Sequence, residues 1–531
     1  MSETHERSWI DSGDTALGIE LGSTRIKAVL IGPDHQVLAT GGHSWENQLV
    51  DGLWSYSLDA VHDGLQAAYA SLVNDVQQRY GTTPTTYGSF GVSAMMHGYL
   101  AFDEDGRQLV PFRTWRNVST GAAAEELTAL FGVNIPMRWS VAHLHQAVLD
   151  NEEHIARVAS INTLAGYVHE LLTGRHVLGI GDASGMFPID SVAGDYDQKR
   201  LDAYEQHIAD RGYTWTLREL LPEVLCAGAD AGVLTQAGAA FLDPTGVLQA
   251  GVPLCPPEGD AGTGMVATNA VAPRTGNVSA GTSIFAMIVL EKALSKLHME
   301  IDPVTTPDGS PVAMVHSNNG ASELDEWVGV FAEFAALAGV EIPMGRIYDL
   351  LYSHALTGAA DGDGVMAYNL LSGEPVIGLD AGRPLVMHTP GADFSLATFM
   401  RTQLMAVFAP VRVGMDILTE EGVELDRLLA HGGIFKTAGV AQKVLADALR
   451  TPIAVGETAG EGGAWGIAVL ARFAQRATQG QSLPAYLNEQ VFAQAGMSVI
   501  DPDQDDAAAF ETFLARYMQA RPVVEAAATH S

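Results

Sequence analysis

The sequence predicts an α/β protein of more than one domain, and three observations carry that expectation. The chain has 531 residues, and at roughly 150 to 250 residues per domain it needs two or three cores. Short apolar strands alternate with stretches of helical periodicity. A strand–turn–strand hairpin near the N-terminus recurs about half a chain later.

In order, a polar tail precedes the strand ALGIEL, Ala16 to Leu21, then the turn Gly22-Ser23-Thr24 and the strand IKAVLI from Ile26. Gly32-Pro33-Asp34 turns the chain into QVLATG, so three strands on tight turns form a meander. Apolar residues at three- and four-residue spacing begin a helix near Leu58. YGSFGVSA, Tyr87 to Ala94, reads as a buried strand. GNVSAGTSIFAMIVL, Gly276 to Leu290, repeats the strand, Gly-Thr-Ser turn and strand. The recurrence suggests two domains of one architecture around a shared ligand, although small-residue hairpin turns are common in unrelated folds. Further on come a long helix, FSLATFMRTQLMAVFAPVRVGMDILTEEG, an apolar run LLAH, the pair Gly432-Gly433 and a helix to about Leu449. A last helix starts after Pro502 with an acidic first turn, and EAAATHS reads as a frayed tail.

Composition narrows the function. Hydrophobic residues make up 47% and charged residues 17%, which describes a well-cored globular protein. A formal net charge of −34 repels nucleic acid and anionic membranes, so neither is expected as a partner. Two cysteines, Cys226 and Cys255, give no disulfide framework and point to a reducing compartment. The polar start MSETHERSW lacks the apolar core of a signal peptide, and no run is long enough to span a bilayer. The expected location is the cytoplasm.

In so acidic a chain a polyphosphate must be held locally, by backbone amides and a divalent cation. There is no GxxxxGK[ST] loop and no GxGxxG after a strand, so the common nucleotide-binding motifs are missing. Three glycine turns after apolar strands remain: Gly22-Ser23-Thr24, Gly281-Thr282-Ser283 and Gly432-Gly433. Amides and small hydroxyls at such turns can cradle phosphate oxygens. Glu258 and Asp260 lie in a small-residue loop before a Gly/Ala-rich helix. An Asp there is more often a helix cap than a catalyst.

These segments resemble the FGGY family of carbohydrate kinases, in the actin-like ATPase superfamily. ALGIELGSTRIKAVLI is similar to the family's opening strand-turn-strand, and SAMMHGYLAFDEDGR to the Gln-Met-His-Gly segment of xylulokinases. GDASGM, from Gly181, resembles their Asp-Ala-Ser-Gly segment, and EGDAGTG the loop that bears the family's catalytic Asp. SAGTSIF, NLLSGE and LLAHGGIFKTAGVAQKVLADALRTPI resemble the phosphate turn, the Leu-Ser-Gly-Glu element and the adenosine-side segment. Seven segments in order span Ala16 to Ile453.

The resemblance implies two RNase H-like domains, 14–270 on the sugar side and 271–522 on the nucleotide side, with a ligand cleft between them. It implies ATP and Mg²⁺ as cofactors and a small sugar as acceptor, with a ketopentose, xylulose or ribulose, favoured. Asp260 aligns with the general base, which a poorly nucleophilic alcohol needs at neutral pH. Glu20 aligns with an Asp near Mg²⁺, one methylene longer than usual. Gly22, Ser23, Thr24, Gly281, Thr282 and Ser283 align with phosphate turns, and Gly432 and Gly433 with the adenosine and α-phosphate side; Lys436 is open to a phosphate or adenine contact but reads first as a solvated helix-start lysine. Met96, His97, Gly98 and Trp115 align with sugar-pocket residues, His97 being equally readable as a core histidine. Arg116 and Asn117 depart from the usual Trp-Asn-Asp or Trp-Lys-Asp. A homodimer is compatible with the resemblance. Two other readings stay open: an actin-like ATP-binding protein without sugar transfer, and a degenerate sugar sensor.

Two further patterns are set aside. Asp103 to Gly106 resembles part of a calcium loop but lacks its bidentate Glu, and reads as a solvated turn. His143-x-His145 has no further ligands at metal spacing and reads as structural or as polar helix surface.

Overall fold

The structure is a computed structural model that describes residues 3–456, 462–477 and 480–530. Its contacts divide the chain into two compact units. The first comprises Met1–Val271, Pro303–Val312 and Thr458–Gln494, the second Ala272–Asp302, Ala313–Glu457 and Ala495–Ser531. A segment late in the sequence therefore packs with the first unit.

The first unit opens with helix α1 (Glu3–Ser12), where the sequence suggested a tail. Ile10, 1% exposed, pins this helix to the core. Strands β1 (Ala16–Leu21), β2 (Arg25–Ile31) and β3 (Val37–Ser44) form the expected antiparallel meander. Helix α2 (Leu58–Tyr80) is capped by the Ser57 side chain and closed by Gly81 at φ 64°. It lies so close to β3 that a Cβ on Gly41 would sit 2.3 Å from the Leu72 amide nitrogen.

Strand β4 (Ser89–Ala94), buried throughout, runs parallel to β1. Helices α3 (Gly121–Phe131), α4 (Ser140–Leu149), the short α5 (Ile180–Ala183) and α6 (Gln198–Ile208) follow. Strand β5 (Glu258–Gly259) joins β4 in parallel and leads straight into α7 (Asp260–Ala267). The sheet order is β5-β4-β1-β2-β3. Register places Glu20 and Glu258 on either side of Ser93, so the C-terminal ends of three parallel strands lie side by side.

In the second unit β6 (Thr275–Ala280) and β7 (Ile284–Val289) make the second hairpin. Strands β8 (Ile301–Thr305) and β9 (Pro311–Ser317), whose parts within Pro303–Val312 count with the first unit, and β10 (Arg427–His431), β11 (Ile453–Gly456) and β12 (Met497–Ile500) complete a seven-stranded sheet, ordered β8-β9-β7-β6-β10-β11-β12. The run β9-β7-β6-β10-β11 repeats the first unit's order, with a hairpin at its centre and parallel strands following. The recurrent hairpins are thus corresponding elements of two like sheets.

Helix α8 (Leu396–Glu420), started by the Ser395 side chain, runs largely buried, and α9 (Val440–Leu449) follows β10. Helix α10 (Gly462–Arg476), buried from Gly463 to Phe473, returns to the first unit. Gly18 of β1 and Gly466 of α10 permit that packing: a Cβ on either would meet backbone at 2.1 to 2.2 Å. Helix α11 (Gln504–Thr529) ends the chain. It continues to Thr529, into the segment that read as frayed, and Val524 just before that segment is fully buried. Among the described residues no helix is long and apolar enough to cross a membrane.

Candidate active site

Asp260 is the first residue of α7, carried there by β5. Its Oδ1 accepts a hydrogen bond from the Met96 amide at 3.1 Å, which links the start of α7 to the loop after β4. The residue remains open to solvent, yet the protein around it desolvates the carboxylate enough to raise its pKa, against the lowering effect of the Met96 amide. An accessible carboxylate with raised basicity is suited to taking a proton.

Met96 and His97 are 6% and 5% exposed. His97 has φ 70° and Gly98 φ 93°, so the chain bends sharply just after β4. The His97 ring lies against Gly185, with Nδ1 3.4 Å from its carbonyl oxygen. Burial holds the ring well below its ordinary pKa, hence neutral. Tyr99 pairs with Arg113 through the Tyr99 amide and the Arg113 carbonyl at 2.8 Å, which anchors the loop bearing Trp115, 39% exposed, beside this segment. Arg116 stacks its guanidinium 4.5 Å over the Trp54 ring. Asn117 spends its side chain on the Trp54 backbone, accepting from the amide and donating to the carbonyl, each at 2.8 Å. Its role is to hold the loop.

Two acids in this region carry more of the architecture than sequence reasoning assigned them. Glu258, 1% exposed, accepts from the amides of Gly181 at 3.2 Å and Asp182 at 2.9 Å. Gly179 and Gly181 make room for it: a Cβ on either would fall 2.3 to 2.4 Å from a Glu258 carboxylate oxygen. Burial, and then the charge of Asp182, drive its pKa well up. Asp182 is fully buried. Thr163 donates its hydroxyl to Oδ2 at 2.7 Å, while Oδ1 has no partner. Burial, helped by the charge of Asp260, pushes Asp182 up to about 7. The glycines of GIGDASG were the available signal for this cradle.

Glu20, at the end of β1, is half-buried. A Cβ on Gly463 would lie 2.3 Å from Glu20 Oε1 and 2.9 Å from the Thr263 hydroxyl, and that hydroxyl is 3.1 Å from Ser93 Oγ. Carboxylate and hydroxyl oxygens thus gather where α10 begins, a donor set that suits a hard cation such as Mg²⁺. Gly463 was not singled out from the sequence, although its place in a small-residue run was a usable sign.

The glycine turns are held from behind. In the first, Trp45 donates its ring N–H to the Gly22 carbonyl at 2.7 Å and Tyr56 its hydroxyl to the Ser23 carbonyl at 2.6 Å. In the second unit the amides of Gly320 and Ala321 donate to the carbonyls of Thr282 and Gly281 at 2.8 and 2.9 Å, while Gly281 and Thr282 stay exposed. Gly432, at φ 124°, crosses Ala280 so closely that a Cβ would sit 2.0 Å from the carbonyl oxygen. Within this unit the second and third turns are therefore neighbours. Gly433 and Lys436 are exposed.

The other patterns resolve simply. Asp103 Oδ1 accepts from the amides of Asp105 and Arg107 at 3.0 and 2.9 Å, an exposed turn. His143 and His145 are buried in α4, so they are not polar surface.

Models of the FGGY family of carbohydrate kinases match both parts of the chain, the N-terminal domain over residues 15–266 and the C-terminal domain over 276–475. The xylulose kinase of Haemophilus influenzae is 20% identical over 458 residues, which cover 82% of this chain and 86% of that protein. The structure of xylulose kinase from Rhodospirillum rubrum superposes with a TM-score of 0.78 at 18% identity, covering 96% of this chain and 99% of that one. Gluconate kinase from Lactobacillus acidophilus gives 0.76 at 16% identity, covering 97% and 99%. The two α/β units thus have the fold of carbohydrate kinases of the actin-like ATPase type, as the sequence resemblance implied.

Proposed function

We propose, because the chain belongs to the FGGY family of carbohydrate kinases, that it transfers the γ-phosphoryl group of ATP to a hydroxyl of a ketopentose. The observation that carries this reading is the Asp260 carboxylate, open to solvent, raised in pKa and fastened by the Met96 amide at the ends of three parallel strands. Ligands of α/β sheets bind at such strand ends.

In this reading Asp260 takes the proton of the attacking sugar hydroxyl as the new O–P bond forms and the bond to ADP breaks. Met96, His97, Gly98 and Trp115 line the sugar's side. Glu20, with the hydroxyls of Ser93 and Thr263 near it, holds Mg²⁺ directly or through water. That ion would neutralise charge on the phosphate oxygens. Gly22, Ser23 and Thr24, together with Gly281, Thr282 and Ser283, present amides and hydroxyls to the phosphates. Gly432, Gly433 and Lys436 serve the rest of the nucleotide.

Xylulose or ribulose is preferred because the Met-His-Gly and Asp-Ala-Ser-Gly segments are the most xylulokinase-like, and they lie against each other through His97 and Gly185. A coupled ADP-release assay over D-xylulose, D- and L-ribulose, L-xylulose, D-fructose, gluconate and glycerol tests the reading. Turnover should be highest with a ketopentose. Gluconate or glycerol as the best acceptor would sink the ketopentose, and ATP turnover indifferent to every acceptor would sink the kinase.

A further inference from the structure

Three helices of the first unit bring two imidazoles and a carboxylate together, using none of the residues assigned to phosphoryl transfer. Glu126 on α3, His145 on α4 and His207 on α6 each offer one donor atom, and these atoms lie within 4.8 Å of one another. Glu126 spans both rings: Oε1 is 2.5 Å from His207 Nε2, and Oε2 is 3.7 Å from His145 Nε2.

His145 is the telling member. It is 1% exposed, and its Nε2 has no hydrogen-bond partner. A buried polar atom left without a partner costs free energy, so native structures rarely keep one idle. Here the nitrogen faces the carboxylate that His207 also reaches. On the other side of the ring, the Tyr204 hydroxyl lies 3.5 Å from Nδ1, and the Tyr204 ring packs edge-on at 5.6 Å between centroids. Metal-bound histidines characteristically have such a partner on the second nitrogen, which fixes the tautomer and leaves Nε2 as the donor.

We propose that Glu126, His145 and His207 form a binding site for a borderline divalent cation of the Zn²⁺ type, clamping α3, α4 and α6 together. Two imidazoles and one carboxylate match the ligand preference of such ions, with water in the fourth position. Tetrahedral coordination with bonds of about 2 Å needs donor atoms about 3.3 Å apart. Closing from 4.8 Å asks movement only of Glu126, half-buried, and His207, exposed, while the buried His145 stays. The carboxylate supplies local negative charge, and the chain's net −34 raises the concentration of cations around it. Arg211, whose charge reaches His145 more weakly than that of His207, donates its own hydrogen bond to Asn151 at 3.1 Å.

The test uses untagged, full-length protein stripped with a chelator and titrated with Zn²⁺ against a chromophoric indicator. Co²⁺ serves as a visible-absorption probe. Wild type should bind Zn²⁺ at this site and gain thermal stability from it. Glu126→Gln and His207→Gln, both at accessible positions, should weaken that binding by about 100-fold, lose the tetrahedral Co²⁺ band and no longer respond thermally to Zn²⁺, with metal-free melting unchanged. Wild type that takes up no Zn²⁺, or variants that bind it as tightly as wild type, would overturn the proposal.

Discussion

The Asp182 amide donates to Glu258 Oε2 at 2.9 Å, and the two carboxyl groups, one fully buried and one 1% exposed, lie close enough for the charge of Asp182 to raise the pKa of Glu258. Like charges in a dry site cannot both ionise cheaply. Two acids behind Asp260 therefore hold protons at pH values where ordinary carboxyl groups have lost them, and this shapes the behaviour of the whole loop.

Asp182 makes stability fall with rising pH. The folded protein keeps its proton up to about pH 7, whereas the unfolded chain releases it near 3.8. Its contribution is complete below about pH 4 and is lost as the pH climbs through 7, an effect of at most about 4 kcal/mol. Asp182→Asn, which mimics the neutral acid, should flatten this part of the profile. Urea midpoints at pH 5 and pH 8 measure it, and equal slopes for variant and wild type would contradict the assignment.

Glu258 acts as a rivet for the Gly181 and Asp182 amides. Glu258→Ala leaves both amides without that acceptor and should cost about 2 to 4 kcal/mol of stability. Glu258→Gln keeps the shape and one acceptor but sets its NH₂ group against the other amide, so thermal unfolding should place it between the Ala variant and wild type. A Gln variant as stable as wild type would show that one of the two amides does not depend on Glu258.

Asp260→Asn should lower kcat by about 10² to 10⁴ while ATP affinity stays nearly constant. Sugar-dependent ADP release and nucleotide titration separate the two quantities. Undiminished turnover would move the base elsewhere.

Gly463 and Glu20 should be coupled. A Cβ at 463 would fall 2.3 Å from Glu20 Oε1, so Gly463→Ala should displace the carboxylate and reduce activity by about 10-fold or more. Glu20→Asp alone should retain or improve Mg²⁺-dependent activity, and added to Gly463→Ala it should restore part of the loss. Additive losses in the double variant would show that the two positions act independently.

Gly432 and Gly433 should respond differently to alanine. At 432 a Cβ meets the Ala280 carbonyl oxygen at 2.0 Å with φ at 124°, while at 433 nothing lies within 4 Å. Gly432→Ala should cost about 1 to 3 kcal/mol and raise KM for ATP. Gly433→Ala should melt like wild type. Equal melting of both variants would show that the turn can shift away from Ala280.

Local patterns were enough to read the two hairpins, the long helices and the Gly/Ala-rich helix at Asp260, which starts at Asp260 itself rather than after a loop, because strand alternation, helical spacing and turn glycines act over a few residues. Packing decided the remainder. Met96 and Asp260 are 164 residues apart, and only the parallel alignment of β4 with β5 shows that the loop after β4 meets the start of α7. The burial of Asp182, the glycine cradle of Glu258 and the contact of Gly463 with Glu20 depend likewise on which elements lie against each other. His145 looked isolated because its neighbours Glu126 and His207 come from two other helices. A helix presents its side chains in every direction, and their partners are chosen when the helices pack.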